Sequence, residues 1–182
     1  MAPVTTSRSS ARLGYLAGFF VCAGLIAFAL YLQYVQGEDP CPLCLLQRIV
    51  FIALGLVFLL AAIHNPRRTG AIFYGALLVL FSMAGAAVAG RHVWLQSLPK
   101  NMVPECGPGL EFIVSRFPLR KALDMILRGS GECAEKGWTF LGLTIAGWSL
   151  VWFVLLATLA IVATLWRIRE SSGQPMAAAE SI

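Results

Sequence analysis

Charge is scarce in this sequence: 13% of the 182 residues are Asp, Glu, Lys or Arg, against 58% hydrophobic. Soluble domains run nearer a quarter charged and half apolar, so an ordinary water-soluble globule is excluded. The mean hydropathy of +0.76 points the same way. There is no internal repeat, and no low-complexity tract beyond a small polar tail after Glu170, which is expected to be disordered from about 170 to 182. The one long polar stretch, from about 91 to 136, is too short for a separate soluble domain of normal size. The first apolar run is longer than a signal-peptide core and has no small-x-small cleavage site followed by a soluble domain, so it reads as a retained helix. A formal net charge of +5 could suggest nucleic acid. The basic residues are scattered, however, and no nucleic-acid surface is expected.

What is present is apolar sequence in long runs. Residues 13–37, 69–90 and 137–166 carry no charge at all, and each can span a bilayer, which needs about 20 apolar residues. A fourth run, 49–63, reaches that length if its helix starts near Cys41 and takes in Arg48. The reading is an all-α membrane protein, a bundle of four transmembrane helices over about 14–35, 42–63, 70–90 and 140–166 in a single membrane domain. Loops fall at 36–41, 64–69 and 91–139. Arg8, Arg12, Arg67, Arg68, Arg167 and Arg169 all lie at one side, which the positive-inside rule makes cytoplasmic, together with both termini. Between the first two helices Glu38 and Asp39 stand without a base, as suits a translocated loop. In the long loop, Pro118 to Arg128 sets Leu119, Leu123, Ile126 and Leu127 opposite Arg120, Lys121, Asp124 and Arg128, which predicts a short amphipathic helix lying on the membrane surface.

Four of the five cysteines, Cys41, Cys44, Cys106 and Cys133, map to the face opposite the arginines, and only Cys22 sits in mid-helix. Thiols facing an oxidising compartment are read first as disulfides. Two structural bridges are one possibility, and for Cys106 with Cys133 such a bridge would contribute about 3 kcal/mol of loop constraint. For Cys41 and Cys44 a structural bridge is a poor reading, because so small a ring constrains almost nothing in the unfolded chain. The Cys41-Pro42-Leu43-Cys44 spacing suits redox chemistry instead. Proline fits the first helical position, which makes Cys41 the N-cap and puts Cys44 in the first turn, where free N–H groups favour a thiolate.

Arg48 follows Cys44 by four positions and Cys41 by seven, so the three share a helical face. It either snorkels to headgroups or stabilises negative charge near the thiols. Arg91, His92, Trp94 and Gln96 follow the third helix at the same membrane face. Trp94 reads as an interfacial anchor, and His92 as either a satisfied interfacial residue or a donor to a polar ligand. Cys106 lies between Pro104 and Pro108, in an exposed turn that a protein partner can reach. Cys22 reads as packing.

Cys41-Pro42-Leu43-Cys44 with Arg48, the run from Arg91 to Gln96, Cys106-Gly107-Pro108, and the run from Gly129 through Cys133 to Ala134 together resemble the disulfide bond formation protein B (DsbB) family of the bacterial inner membrane. The likeness extends from about Gly14 to Trp166. It implies a thiol:quinone oxidoreductase with catalytic Cys41, Cys44, Cys106 and Cys133 and no metal. The implied partners are DsbA, a soluble thioredoxin-like oxidase of the periplasm, and a membrane quinone, ubiquinone before menaquinone, held near Arg48 and His92. Reduced DsbA would attack a Cys106–Cys133 disulfide at Cys106; Cys133 would exchange with Cys41, freeing Cys44 beside the quinone. Two alternatives are weaker. Proteins similar to vitamin K epoxide reductase tend to carry the CxxC late in the bundle, whereas here it opens the second helix. A non-enzymatic zinc-binding tetraspan with an all-cysteine site needs two close pairs, which the wide separation of Cys106 from Cys133 does not offer.

Overall fold

The computed structural model describes residues 5–99, 102, 115–129 and 131–172. In chain order it contains α1 (Thr5–Tyr34), α2 (Pro42–His64), α3 (Arg68–Ser97), a short α4 (Leu119–Arg128), a single turn α5 (Gly131–Ala134), a hairpin of β1 (Thr139–Phe140) and β2 (Leu143–Thr144), and α6 (Ile145–Ser172). The helices α1, α2, α3 and α6 are long and apolar enough to cross a membrane. They close a ring in which α1 packs on α2, α2 on α3, α3 on α6 and α6 on α1. The protein is a four-helix membrane bundle. The segment expected to be disordered from about 170 is helical as far as Ser172, and 173–182 lie outside the described residues, as does Cys106 with the turn expected around it.

The helices overrun the hydropathy reading at two ends, with α1 already helical at Thr5 rather than from about 14 and α6 continuing to Ser172 beyond 166, and two further boundaries differ for local reasons. The third span is expected to end near 90, yet α3 runs without interruption to Ser97, so Arg91, His92, Trp94 and Gln96 sit within it. A charge at Arg91 ends the apolar run but does not break a helix. The break comes at Leu98, whose extended backbone precedes Pro99, as the residue before a proline prefers. At the other end, α6 starts at Ile145 rather than near 140, because Leu141 and Gly142 both take positive φ and turn the chain into a hairpin with Thr139 opposite Thr144.

Lipid offers no hydrophobic drive for helices to associate, so the bundle must be held by close packing and interhelical hydrogen bonds. Its core holds Tyr15, Phe51, Leu54, Phe58, Leu78, Phe153 and Leu156. Phe51 of α2 and Phe153 of α6 stack across it with ring centroids 4.1 Å apart. Gly85 makes room for this pair: a Cβ there would run into the Phe153 ring. Outward-facing Phe20, Ile49, Leu56, Leu80, Met83 and Val154 remain exposed, as a lipid-facing surface requires.

The end of the bundle away from the CxxC is tied by Arg167, expected from sequence only as an orienting charge. It is 4% exposed. Its Nε donates to the Pro66 carbonyl at 2.9 Å, and its terminal nitrogen donates to the Asn65 carbonyl at 3.2 Å and to Asn65 Oδ1. Asn65 is in turn the left-handed C-cap of α2, its N–H bonded to the Ala61 carbonyl. A charged donor bonded to buried carbonyls is worth about 1.5–3 kcal/mol per bond. Arg167→Met keeps the apolar stem and removes the donors. It should lower stability in detergent by about 3 kcal/mol, read as a fall in thermal midpoint; an unchanged midpoint would show that the clasp contributes nothing.

Candidate functional site

α2 begins at Pro42 with Cys41 as its N-cap, the arrangement expected from the spacing. The Cys44 N–H donates to Cys41 Sγ at 3.4 Å, and the two sulfurs are 3.3 Å apart. Cys41 is buried, whereas Cys44 is half-exposed. Both residues line one cavity, and Cys41 is the more buried of the two.

His92 lies against both thiols. It is 2% exposed, with Nε2 3.7 Å from Cys41 Sγ and Nδ1 4.0 Å from Cys44 Sγ. The extra two turns of α3 deliver it there, one helix away from the CxxC. Two amides hold the ring: the Gln47 side-chain nitrogen is 3.1 Å from Nδ1, and the Gln96 side-chain nitrogen is 3.5 Å from Nε2. Gln96 is itself oriented, since its Oε1 accepts from the Thr144 hydroxyl at 2.7 Å and its nitrogen donates to the Glu135 carbonyl. The hairpin that sequence reading missed thus braces the histidine. Gln47 was also missed. A polar residue on an otherwise apolar helix, one turn past Cys44, was the available signal.

Arg48 projects into the same cavity, as its helical position predicts. Its guanidinium turns to α1 rather than to the bundle end, with one terminal nitrogen donating to Gln33 Oε1 at 2.5 Å and the other to the Ala29 carbonyl at 3.0 Å. A snorkelling arginine would reach along the helix toward headgroups. This one is clamped sideways between two helices, and Gln33 is a partner that α2 alone could not reveal.

The cavity that Cys44, Gln47, Arg48 and His92 share holds about 570 Å³, within the range of small-molecule and cofactor sites. Its inner walls are apolar, with Leu25, Ile26, Phe51 and Trp152, and Glu38, Asp39 and Glu135 lie on its polar side. Aromatic rings stack along one wall: Trp138 meets Phe28 edge-on at 5.5 Å and stacks on Phe140 at 5.8 Å, and Trp148 Nε1 donates to the Phe140 carbonyl.

Cys133 is fully buried on α5, in one cluster with Cys41, Leu43, Leu95 and Ile126. α4 reaches this cluster through Ile126, so the amphipathic helix docks on the bundle as well as presenting a polar face. Arg91 secures its end by donating to the Leu127 and Arg128 carbonyls at 3.4 and 3.2 Å. The same guanidinium lies 4.1 Å from the centroid of the half-exposed Trp94. Cys106 lies outside the described residues. Cys22 packs in the main core, in a cluster separate from Cys41, Cys44 and Cys133, in keeping with a packing role.

Gly129 joins α4 to α5 with φ +81, and a Cβ there would meet Leu95 Cδ1. Gly129→Ala costs about 1–3 kcal/mol for putting a side chain on a nearly glycine-only backbone conformation, a factor of roughly 5–150 in a local opening equilibrium. Alkylation of Cys133 in the reduced protein should accelerate by that factor. Equal rates in the two proteins would mean that α5 is not seated by this turn.

A CxxC pair with a third thiol buried beside it, and an imidazole and a guanidinium at the same cavity, can accept electrons by thiol–disulfide exchange on one side and deliver them on the other. The three ligand atoms of Cys41, Cys44 and His92 also fall within 4.8 Å of one another. Comparison with known proteins agrees with the redox arrangement. The family model described as disulfide bond formation protein DsbB matches residues 11–163. A protein of Nitrosococcus oceani named disulfide bond formation protein B is 49% identical over 166 residues, covering 91% of this chain and 96% of its own. Proteins of the same name from Hahella chejuensis and Chromobacterium violaceum are 55% identical over 143 residues and 51% identical over 157, covering 79% and 86% of this chain and 87% and 92% of their own.

Proposed function

Because the chain belongs to the DsbB family of disulfide bond formation proteins, we propose that it oxidises a DsbA-like dithiol protein of the periplasm and passes the electrons to a membrane quinone. One observation carries this reading: Cys44 opens onto a cavity shared with Arg48 and His92, while Cys133 is buried in contact with the cluster that holds Cys41. Disulfide formation needs a route in for electrons and a route out, and the CxxC pair adjoins both, with the buried Cys133 on one side and the cavity on the other.

In this reading the partner's thiolate attacks Cys106 of a Cys106–Cys133 disulfide, forming a mixed disulfide and releasing the Cys133 thiolate. Cys133 attacks Cys41, breaking the Cys41–Cys44 bond and releasing the Cys44 thiolate. The partner's second thiol then frees itself as a disulfide, and the Cys106 thiolate attacks Cys133 to restore the loop pair. Cys41 and Cys44 are left reduced. A bound quinone supplies a two-electron, two-proton acceptor. The cavity suits its ring, with Arg48 to stabilise developing negative charge on an oxygen and His92, between the thiols and the cavity, to carry a proton.

Quinone loss followed with purified protein, reduced DsbA-like donor and either short-chain ubiquinone or menaquinone tests the scheme and ranks the two acceptors. No turnover with either, or full turnover after Cys44→Ser, would end it. The orientation is tested separately. Membrane-impermeant thiol reagents applied from the periplasm should label the reduced site cysteines and should not label Thr69→Cys; labelling of that position from outside would invert the topology.

A further inference from the structure

We propose that the reduced Cys41–Cys44 pair and His92 form a binding site for a thiophilic d10 cation of the zinc(II) class, open only in the dithiol state. The ligand set differs from the four-cysteine site that the spacing argues against, and it rests on geometry alone. Failure of the quinone assay would therefore leave it standing.

Zinc binds sulfur at about 2.3 Å and imidazole nitrogen at about 2.0–2.1 Å, so a tetrahedral centre sets sulfurs about 3.8 Å apart and each sulfur about 3.6 Å from the nitrogen. The observed separations are 3.3 Å between the sulfurs, 3.7 Å from Cys41 Sγ to Nε2 and 4.0 Å from Cys44 Sγ to Nδ1. The two sulfurs are nearest to different ring nitrogens, but a single ring nitrogen lies within 4.8 Å of both, so side-chain rotations of about 1 Å bring both sulfurs onto it and seat the ion with no change in the helices. His92 already has what zinc-ligating histidines need, a hydrogen-bond partner for the second ring nitrogen. With Nε2 on the metal, Nδ1–H faces the Gln47 amide, turned to present its oxygen. The fourth position opens to the cavity, where water or an exchangeable anion completes the shell.

The device is redox-gated by its own chemistry. Two thiolates bind a soft cation strongly, whereas a Cys41–Cys44 disulfide offers no anionic sulfur. The ion sits on the electron donor, so occupancy locks the pair reduced and stops electron delivery into the cavity.

The test uses the full-length protein in detergent with Cys106→Ser and Cys133→Ser, which removes the loop thiols as competitors. Equilibrium dialysis against zinc chloride should give one equivalent in the reduced protein and none after oxidation. Cobalt(II) should give the intense visible bands and sulfur charge transfer of a tetrahedral thiolate site. His92→Gln should weaken zinc binding at least about tenfold, as loss of even an outer partner of a zinc ligand does. Equal binding by the oxidised and reduced forms would overturn the proposal, as would a weak octahedral cobalt spectrum or an affinity indifferent to His92. The comparison of redox states needs no variant at position 92, so a folding defect in His92→Gln leaves the test intact.

Discussion

A Cys133→Ser variant should accumulate as a covalent adduct with its DsbA-like partner, and its quinone reduction should fall to the uncatalysed rate. With Cys133 gone, Cys106 keeps a free thiol that exchanges with the partner's disulfide, and the chain has no thiol placed to resolve the product from its own side. Electrons are cut off as well, because the thiol lost is the loop thiol buried in the cluster with Cys41. Cys106→Ser should lose turnover equally but form no adduct. Non-reducing electrophoresis after acid trapping separates the two variants. Equal adduct from both would mean that the partner attacks the other sulfur.

Arg48→Lys should raise the KM for quinone roughly ten- to a hundredfold while leaving mixed-disulfide formation unchanged. The guanidinium spends two nitrogens on Gln33 and Ala29 and is thereby fixed at the cavity wall. An ammonium on a flexible stem cannot hold both α1 partners in that plane and also meet a ligand oxygen. Each charge-assisted bond lost is worth about 1.5–3 kcal/mol, or one to two decades of affinity. Steady-state quinone reduction at saturating reduced partner reads the KM, and adduct formation in the Cys133→Ser background reads the loop step. A lysine variant with unchanged KM and turnover would return the residue to a packing role and leave His92 as the principal cavity contact.

The sequence made legible those features that depend on neighbours along the chain. Four apolar runs give four helices. Pro42 fixes where α2 starts and makes Cys41 its cap, and the alternation from Pro118 to Arg128 gives α4. The parts that stayed hidden depend on residues far apart. His92 meets the thiols only because α3 continues past Arg91, and hydropathy registers the end of lipid rather than the end of a helix. Gln33, Gln47 and Thr144 come from three different elements to orient Arg48 and His92, and of the three only Gln47, a polar residue one turn past Cys44, carries a local mark. Gly129 stood out as part of a motif, but its positive-φ turn against Leu95 required the packed bundle. Arg167 was legible as a positive charge but not as a buried one.

Arg167 also decides where this chain can be cut open for engineering. Residues 65–67 form the shortest connection in the bundle and so invite an inserted reporter or epitope, since exposed turns are the usual sites for such grafts. Here the turn's backbone oxygens are already committed to a side chain 101 positions away. Splitting Asn65 from Pro66 would strand a buried guanidinium along with its carbonyls. A graft belongs after Arg67, where Arg68 and Thr69 are exposed, or beyond Ser172, where it leaves the clasp closed.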